Sequence, residues 1–279
     1  MRLRAAEIRT ADLEKSADFL LNVWGLLDAG RRGSTRYFRG TADHPYILSL
    51  TQADTPGIAA ISFAGSAEEI AQLPGEKVRE FDAPGGGSGV IVEGPEGQRY
   101  RFVTDSPVSA LPPERDRPIE LSHVVLNVRD WESCERFAVE KLGFKVSDRT
   151  RIMRFLRCNR KHHALAFVNS DISSLNHMAF EMRDLDAVMH GIGRLREAGY
   201  PCTWGPGRHG PGNNVFGYFI APYGGIVEYT AEVSEVDDNY RVGTPEDWKW
   251  PPGRIDHWGI SKKDTAKTSA AEKVLRFRA

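Results

Sequence analysis

The sequence predicts an α+β fold with two tandem domains, each made of paired βαβββ modules whose sheet forms an open, incomplete barrel. Three observations support this prediction. The two halves of the chain resemble each other, many segments alternate apolar and polar residues as strands do, and two segments carry apolar residues at helical spacing. We expect a first domain over residues 1–105, a Pro-rich linker over 106–118, a second domain over 119–235 and a tail over 236–279.

The internal repeat is weak in identity but consistent in order. In its first segment Asp12 falls on Asp130 and Gly25 on Gly143 without a gap. The same order of matching segments in both halves indicates a tandem duplication. The matching segments are 9–26 with 127–144, 58–63 with 175–180, and 95–102 with 222–229.

The second copy displays the predicted elements most clearly. Asp130 is a suitable N-cap for the helix that follows it, and Gly143 is placed to end that helix. Asp184 and Gly199 bound a second helix in the same way. The tail has no clear periodicity, and we expect it to wrap the surface. The strands of this copy are expected at 121–128, from 144, at 154–158, at 163–168 and at 175–182.

Composition limits the possible functions. Of the 279 residues, 41% are apolar and 27% are charged, which is typical of a soluble globular protein. A net charge of −1 gives no field that would favour nucleic acid or an anionic membrane, and no apolar run reaches the roughly 18 residues of a membrane span. From charge and hydropathy we expect neither nucleic acid nor a membrane as a partner. The three cysteines are widely spaced, which indicates free thiols and a cytoplasmic protein.

Three candidate metal ligands occur in the second copy alone: His123, His177 and Glu228. Glu228 lies inside an apolar run, where an ionised carboxylate needs a partner or a metal. Two imidazoles and one carboxylate suit Fe(II), with Mn(II) as an alternative, and leave positions open for other ligands. Read singly, a strand histidine is more often a hydrogen-bonded core residue, and the glutamate could form a salt bridge. The first-copy counterparts are Ala5, Ala60 and Arg101.

The segments LSHVVL, LNHMAF and PYGGIVEY resemble the vicinal oxygen chelate superfamily, and within it the type I extradiol ring-cleavage dioxygenases. Those enzymes have an inactive first copy and an iron-bearing second copy. Their signature matches this sequence through the tripeptide 207–209, Tyr218, Pro222, Gly224 and Glu228. The sequence departs at Gly217, where the family pattern prefers a larger apolar residue, and we expect the glycine to widen the pocket.

The resemblance implies a role for each candidate. His123, His177 and Glu228 would bind the iron, and His163 would be the acid/base histidine, with His162 as its competitor because the period of a strand points only one of them inward. The implied reaction is extradiol cleavage of a catecholic small molecule with O2, in aromatic catabolism, by a homo-oligomer. The residues that would hydrogen-bond the catecholate and oxygen-derived intermediates are His209 and Tyr218.

Two alternatives stay open. Glyoxalase-type relatives act as isomerases or lyases at a metal held by four side chains, and the fourth ligand is not evident here. A non-enzymatic relative sequesters small molecules without a metal. Metal content would identify the second alternative, and oxygen uptake with a catechol would exclude the first.

Overall fold

The computed structural model describes residues 1–104 and 106–277, so the predicted boundaries at 105 and 279 lie outside the described residues. The first half of the chain forms one eight-stranded sheet, in the order β2-β3-β4-β1-β5-β8-β7-β6. The central pair β1 and β5 is antiparallel, while β4 and β8 run parallel to their inner neighbours. Its strands are β1 Arg2–Thr10, β2 Leu27–Arg32, β3 Thr35–Arg39, β4 Leu48–Gln52, β5 Gly57–Ala64, β6 Glu76–Val78, β7 Gly89–Glu93 and β8 Arg99–Val103.

The second half repeats this plan in a nine-stranded sheet. The order is β10-β11-β12-β9-β13-β16-β15-β14-β17, so the last strand of the tail joins the edge. Two open sheets in tandem confirm the predicted α+β architecture. The strands are β9 Glu120–Val128, β10 Lys145–Arg149, β11 Met153–Arg157, β12 Leu165–Asn169, β13 Ser174–Glu181, β14 Trp204–Arg208, β15 Val215–Ile220, β16 Ile226–Ala231 and β17 Lys262–Lys263.

The helices begin where the sequence predicts caps. Asp130 accepts the Ser133 N–H at 2.9 Å, and Gly143 takes a positive φ of 72° at the other end. Asp184 caps the second predicted helix in the same way. In the first copy the equivalent helix is short and continues as a π-helical turn, Phe19–Trp24. The helices are α1 Leu13–Asp18, α2 Ala67–Ala71, α3 Trp131–Leu142, α4 Leu185–Glu197 and α5 Thr265–Ala271.

Strand register shows how closely the two copies correspond. In each sheet, a residue of the first central strand (β1 or β9) pairs with a residue of the second central strand (β5 or β13). That second residue also pairs with a residue of the parallel strand beyond it (β8 or β16). The candidate ligand positions therefore have structural equivalents in the first sheet. The equivalent rows are Ala5, Ser62 and Arg101 in the first sheet and His123, Ala179 and Glu228 in the second.

One hydrophobic core runs through both halves. The Trp24 indole stacks on the Tyr229 ring with centroids 3.8 Å apart, and the Tyr229 hydroxyl donates to the Trp24 carbonyl. Phe63 of the first sheet meets Phe144 of the second edge-on at 5.1 Å. Because these large rings are buried on both sides, the halves are packed as one unit.

The linker and the tail both lie against the folded halves. Linker atoms donate to the loop beside β4, for example the Val108 N–H to the Asp43 carbonyl at 2.9 Å. The tail crosses the second half, adds β17 beside β14, and ends with α5 against β13, where Ser174 donates to the Glu272 carbonyl at 2.6 Å. No helix within the described residues is long and apolar enough to cross a bilayer.

Candidate metal centre

Three neighbouring strands bring the candidate ligands together. His123 lies on β9, His177 on β13 and Glu228 on β16, and all three side chains are buried. The Glu228 Oε2 atom is 3.3 Å from His123 Nε2 and 3.2 Å from His177 Nε2. Their ligand atoms all lie within 4.8 Å of one another, and within the described part of the chain no other His, Cys, Asp and Glu residues form such a group.

The chemistry of this group fits a divalent cation. Glu228 is 0% exposed, and its Oε2 atom has no hydrogen-bond donor. Burial raises the pKa of Glu228, but the imidazoles of His123 and His177 lower that pKa more, so the carboxylate is ionised. Burial lowers the pKa of His177, which leaves a neutral ring with a free lone pair. An unsatisfied anionic oxygen between two imidazole nitrogens is the donor set of a metal site.

Hydrogen bonds behind the ligands fix their orientation. His177 donates from Nδ1 to Asn176 Oδ1 at 2.7 Å, and Asn176 donates in turn to Asn127 at 2.8 Å. Asn127 continues to Ser174, which contacts the tail. His123 Nδ1 lies 3.3 Å from the Ser122 hydroxyl. Such contacts leave each Nε2 directed at the common centre, as second-layer partners of metal-bound histidines do.

Two further candidates lie on the β14–β15 side of the same centre. His209 Nε2 is 2.9 Å from the Tyr218 hydroxyl, and that hydroxyl is 3.5 Å from His177 Nε2. The His209 ring stacks on Phe216 with centroids 4.0 Å apart. Burial lowers the pKa of His209 to about 4 and raises the pKa of Tyr218, so both groups are neutral near pH 7. Neutral groups at this distance can donate hydrogen bonds to an anionic ligand.

His163 and His162 are both buried, but of the two only His163 lines the cavity. They precede β12, which begins at Leu165, so the two-residue period of a strand does not apply to them. The His163 ring lies 4.2 Å from the His123 ring and lines the cavity. His162 lies behind it and contacts Asp148 at 2.8 Å. Burial lowers the pKa of His163 well below its usual value.

The ligands open into a cavity of about 760 Å³. One wall is apolar, formed by Val125, Met153, Phe155 and Val168. The outer wall comes from the tail, where Trp248 and Trp250 line the same cavity. The tail therefore does more than wrap the surface as expected, since it completes the wall of the site.

The expectation that Gly217 widens the pocket is wrong. A side chain at this position would point away from the cavity, because a Cβ atom there would lie 2.7 Å from the Cδ1 atom of Ile192 on α4. The neighbouring Tyr218 faces the cavity, as strand alternation requires. Gly217 instead lets α4 lie close to β15.

The first sheet holds a different polar group at the equivalent place. Arg101 stands where Glu228 stands in the second sheet, and its Nη1 atom is 2.5 Å from Glu7 Oε2. Ser62 donates to the other Glu7 oxygen at 2.8 Å. An arginine cation neutralises this carboxylate, so the buried Glu7 is already paired and is a poor ligand for a metal.

Sequence reasoning missed two polar residues of the site. Asn214 is fully buried and donates to Thr230 at 2.7 Å and, more weakly, towards Glu228 Oε1 at 3.4 Å. Asp148 is fully buried beneath His162. Asp148 lies in a polar strand, Lys145–Arg149, and not in an apolar run, so the signal that identified Glu228 is missing there.

Comparison with known proteins places the chain among metal-dependent relatives. The family model described as the Glyoxalase/Bleomycin resistance protein/Dioxygenase superfamily matches residues 120–228. Metapyrocatechase 2 of Cupriavidus necator is 31% identical over 180 residues, which are 63% of this chain and 52% of the relative. An iron-dependent extradiol dioxygenase of Rhodococcus jostii is 26% identical over 66% of each chain. The aligned part thus spans about half to two thirds of these relatives.

Solved structures match over most of the chain. The Mn(II)-bound glyoxalase from Novosphingobium aromaticivorans is 31% identical, covers 95% of this chain and 93% of its own, and gives a TM-score of 0.86. A 2,3-dioxygenase from a Pseudomonas species, at 23% identity, covers 88% of this chain and 98% of its own with a TM-score of 0.79, which supports the fold alone.

Proposed function

The chain belongs to the glyoxalase/bleomycin resistance protein/dioxygenase superfamily, and on that premise we propose that it cleaves the ring of a catechol-type diol with dioxygen at a ferrous site. Both oxygen atoms enter the product, and the bond that breaks joins a hydroxyl-bearing carbon to the adjacent ring carbon that has no hydroxyl group. One observation carries the proposal: the buried, unsatisfied Glu228 oxygen between His123 and His177. Manganese is the alternative metal, since one solved relative contains it.

An alanine stands where a fourth protein ligand would be expected, and this favours ring cleavage over glyoxalase-type chemistry. On β13, the residue two places beyond His177 pairs with Glu228. On β9, the residue two places beyond His123 pairs with Ala166. Alanine therefore occupies the place equivalent to the glutamate, and it has no donor atom. A site with three protein ligands leaves room for both oxygens of a diol and for dioxygen.

The Novosphingobium structure is named a glyoxalase, so the second candidate function is that of an isomerase or lyase of glyoxalase type. That chemistry, at a metal held by four side chains, would need another donor from a neighbouring residue. Within the described residues the group contains three such donors. We therefore rank ring cleavage first.

His123, His177 and Glu228 would hold a ferrous ion, which would supply coordination sites for the diol and dioxygen and allow electron density to pass between them. His163 is neutral and lines the cavity, so it can accept a proton from a diol hydroxyl and return it to an oxygen later. His209 and Tyr218, which are hydrogen-bonded to each other and line the same cavity, can donate a hydrogen bond to the bound diol or to oxygen. The apolar wall formed by Val125 and Phe155 keeps water from the reacting carbons.

We propose a substituted catechol as the substrate, and the size of the cavity supports this choice. Sites for drug-sized ligands span roughly 300–1,000 Å³, and this cavity, at about 760 Å³, lies in the upper half of that range. One aromatic ring would leave much of it empty. The part beyond the ligands is lined by Ile152, Met153 and the tail tryptophans, so we propose an apolar extension on the diol ring.

The outer cavity also carries positive charge. Four exposed cations line it, and no described residue forms an ion pair with any of them. Glu272 is the acid among the described lining residues, and burial raises the pKa of its carboxyl group. We propose that the substrate extension ends in an anionic group, which these cations attract. The cations are Arg151, Lys249, Arg254 and Lys263.

The test is anaerobic loading of the full chain with Fe(II), followed by exposure to air with four diols. These are catechol, an aryl catechol, and a carboxylated version of each. We expect a yellow ring-fission product, one O2 consumed per diol, and the highest kcat/KM for the large carboxylated diol, decreasing as salt is added. Metal-free protein is the control. Isomerisation of a hemithioacetal without oxygen uptake would instead support the glyoxalase candidate.

A further inference from the structure

A chain of three buried side chains ends at the candidate acid/base residue. His162 Nε2 is 2.8 Å from Asp148 Oδ2, and His162 Nδ1 is 3.0 Å from His163 Nδ1. Asp148 is 0% exposed and His162 is 1% exposed. His163 has no other hydrogen bond to a described residue, so its Nε2 atom is the ring nitrogen left for the cavity.

The direction of each hydrogen bond follows from the acid at the far end. A carboxylate only accepts, so His162 must donate to Asp148 from Nε2. A neutral His162 then carries a lone pair on Nδ1, and His163 must donate to it from its own Nδ1. The second nitrogen of His163, Nε2, is thereby left with a lone pair towards the cavity. This is the tautomer that can accept a proton from a bound hydroxyl.

The tail holds the carboxylate in place. The Gly243 N–H donates to Asp148 Oδ1 at 2.8 Å, and the Tyr240 hydroxyl is 3.3 Å from both carboxylate oxygens. A Cβ atom on residue 243 would lie 2.3 Å from Oδ1, so this approach requires glycine. The register of β10 shifts between Val146 and Asp148, and such a bulge re-aims a side chain.

We propose that Asp148 and His162 are positioning residues, held by the tail segment 240–243, that fix His163 in the tautomer with a free Nε2 lone pair. The use of that lone pair in catalysis rests on the proposed function. The hydrogen-bond direction itself does not, and it can be measured separately.

Asp148→Asn is the most informative variant because it keeps the shape of the side chain and reverses the direction of both hydrogen bonds. The Gly243 N–H holds the amide oxygen at the Oδ1 position, so the Asn NH2 group faces His162. His162 must then accept at Nε2 and donate from Nδ1, and His163 must accept at Nδ1 and carry its proton on Nε2. The lone pair towards the cavity is lost without loss of a side chain.

Two measurements test the proposal. By ¹⁵N-histidine NMR on the full chain loaded with diamagnetic Zn(II), we expect His163 protonated on Nδ1 in the wild type and on Nε2 in Asp148→Asn. In the Fe(II) enzyme, Asp148→Asn should lower kcat by roughly 10²-fold or more with KM nearly unchanged and iron retained. The matched control is Asp238→Asn in the tail, where an exposed carboxylate lies 2.6 Å from the Lys145 ammonium group. Its kcat should stay at the wild-type value.

A second pair of variants separates hydrogen bonding from packing. Gln at position 162 can donate to Asp148 and accept from His163, whereas Leu can do neither. His162→Gln should therefore retain at least about tenfold more activity than His162→Leu. Wild-type His163 protonated on Nε2, or an unchanged tautomer in Asp148→Asn, would overturn the proposal. Correct tautomers in a protein that cleaves no diol would refute only the proposed function.

Discussion

At the scale of single residues, the role of a histidine depends on the hydrogen-bond partner of its Nδ1 atom and on its distance from Glu228. The Nδ1 atom of His177 donates to an amide, which directs its Nε2 atom to the ligand centre. The Nδ1 atom of His163 faces His162, and His163 contacts no carboxylate of the ligand group. Position relative to Glu228 therefore separates a candidate ligand from a candidate acid/base group.

This separation predicts the behaviour of His163→Phe. The phenyl ring fills a similar space but cannot move a proton, so kcat should decrease by roughly 10²–10⁴-fold. Iron content should remain that of the wild type, because the residue is not a ligand in our assignment. Kinetics and metal analysis on the same sample measure both quantities.

His190→Phe is the control for that variant. His190 is an exposed histidine on α4, with 48% of its side chain accessible, and its replacement should change neither iron content nor kcat. If His163→Phe lost its iron while His190→Phe kept it, the division of roles between ligand and acid/base residue would be wrong.

Sequence reasoning identified the three candidate ligands at this scale because their residue types occur in one copy and are missing from the other. It could not decide between His162 and His163, because these residues lie in a connection whose path depends on the tail. Asp148 and Asn214 escaped notice for a similar reason. Their partners, Gly243 and Thr230, are distant in sequence, so no local pattern links them.

At the scale of elements, α4 and β15 fit together because Gly217 has no side chain. Ile192 occupies the space that a Cβ atom would need, with its Cδ1 atom 2.7 Å from that position. Caps and glycine stops made the long helices predictable from sequence. The close approach of this helix to the sheet was not predictable, since it depends on a face that alternation alone leaves undefined.

Gly217→Leu should therefore destabilise the fold rather than reshape the cavity. Overpacking against Ile192 should lower the free energy of unfolding by about 1–3 kcal/mol. In the double variant Gly217→Leu/Ile192→Ala, much of this loss should be recovered, because the space is vacated. Urea denaturation of the wild type, both single variants and the double variant gives the coupling energy. Purely additive effects would contradict the contact.

At the scale of the whole molecule, a duplicated fold has kept its architecture and divided its chemistry. Both sheets align residue for residue along their central strands, yet Arg101 replaces Glu228 and is neutralised by Glu7. The duplication was readable from sequence because caps and a Pro-x-Gly recur in order. The contribution of the tail could not be predicted from sequence, because the tail segments that contact the second half are short and follow no period.

This division predicts one metal per chain. The most direct measurement is the iron-to-protein ratio after anaerobic loading and removal of free metal, for the wild type and for His123→Ala. We expect one iron per wild-type chain and almost none in the variant, because two ligands cannot hold the ion. Two irons per chain, or a variant that keeps its iron, would contradict a single centre formed by His123, His177 and Glu228.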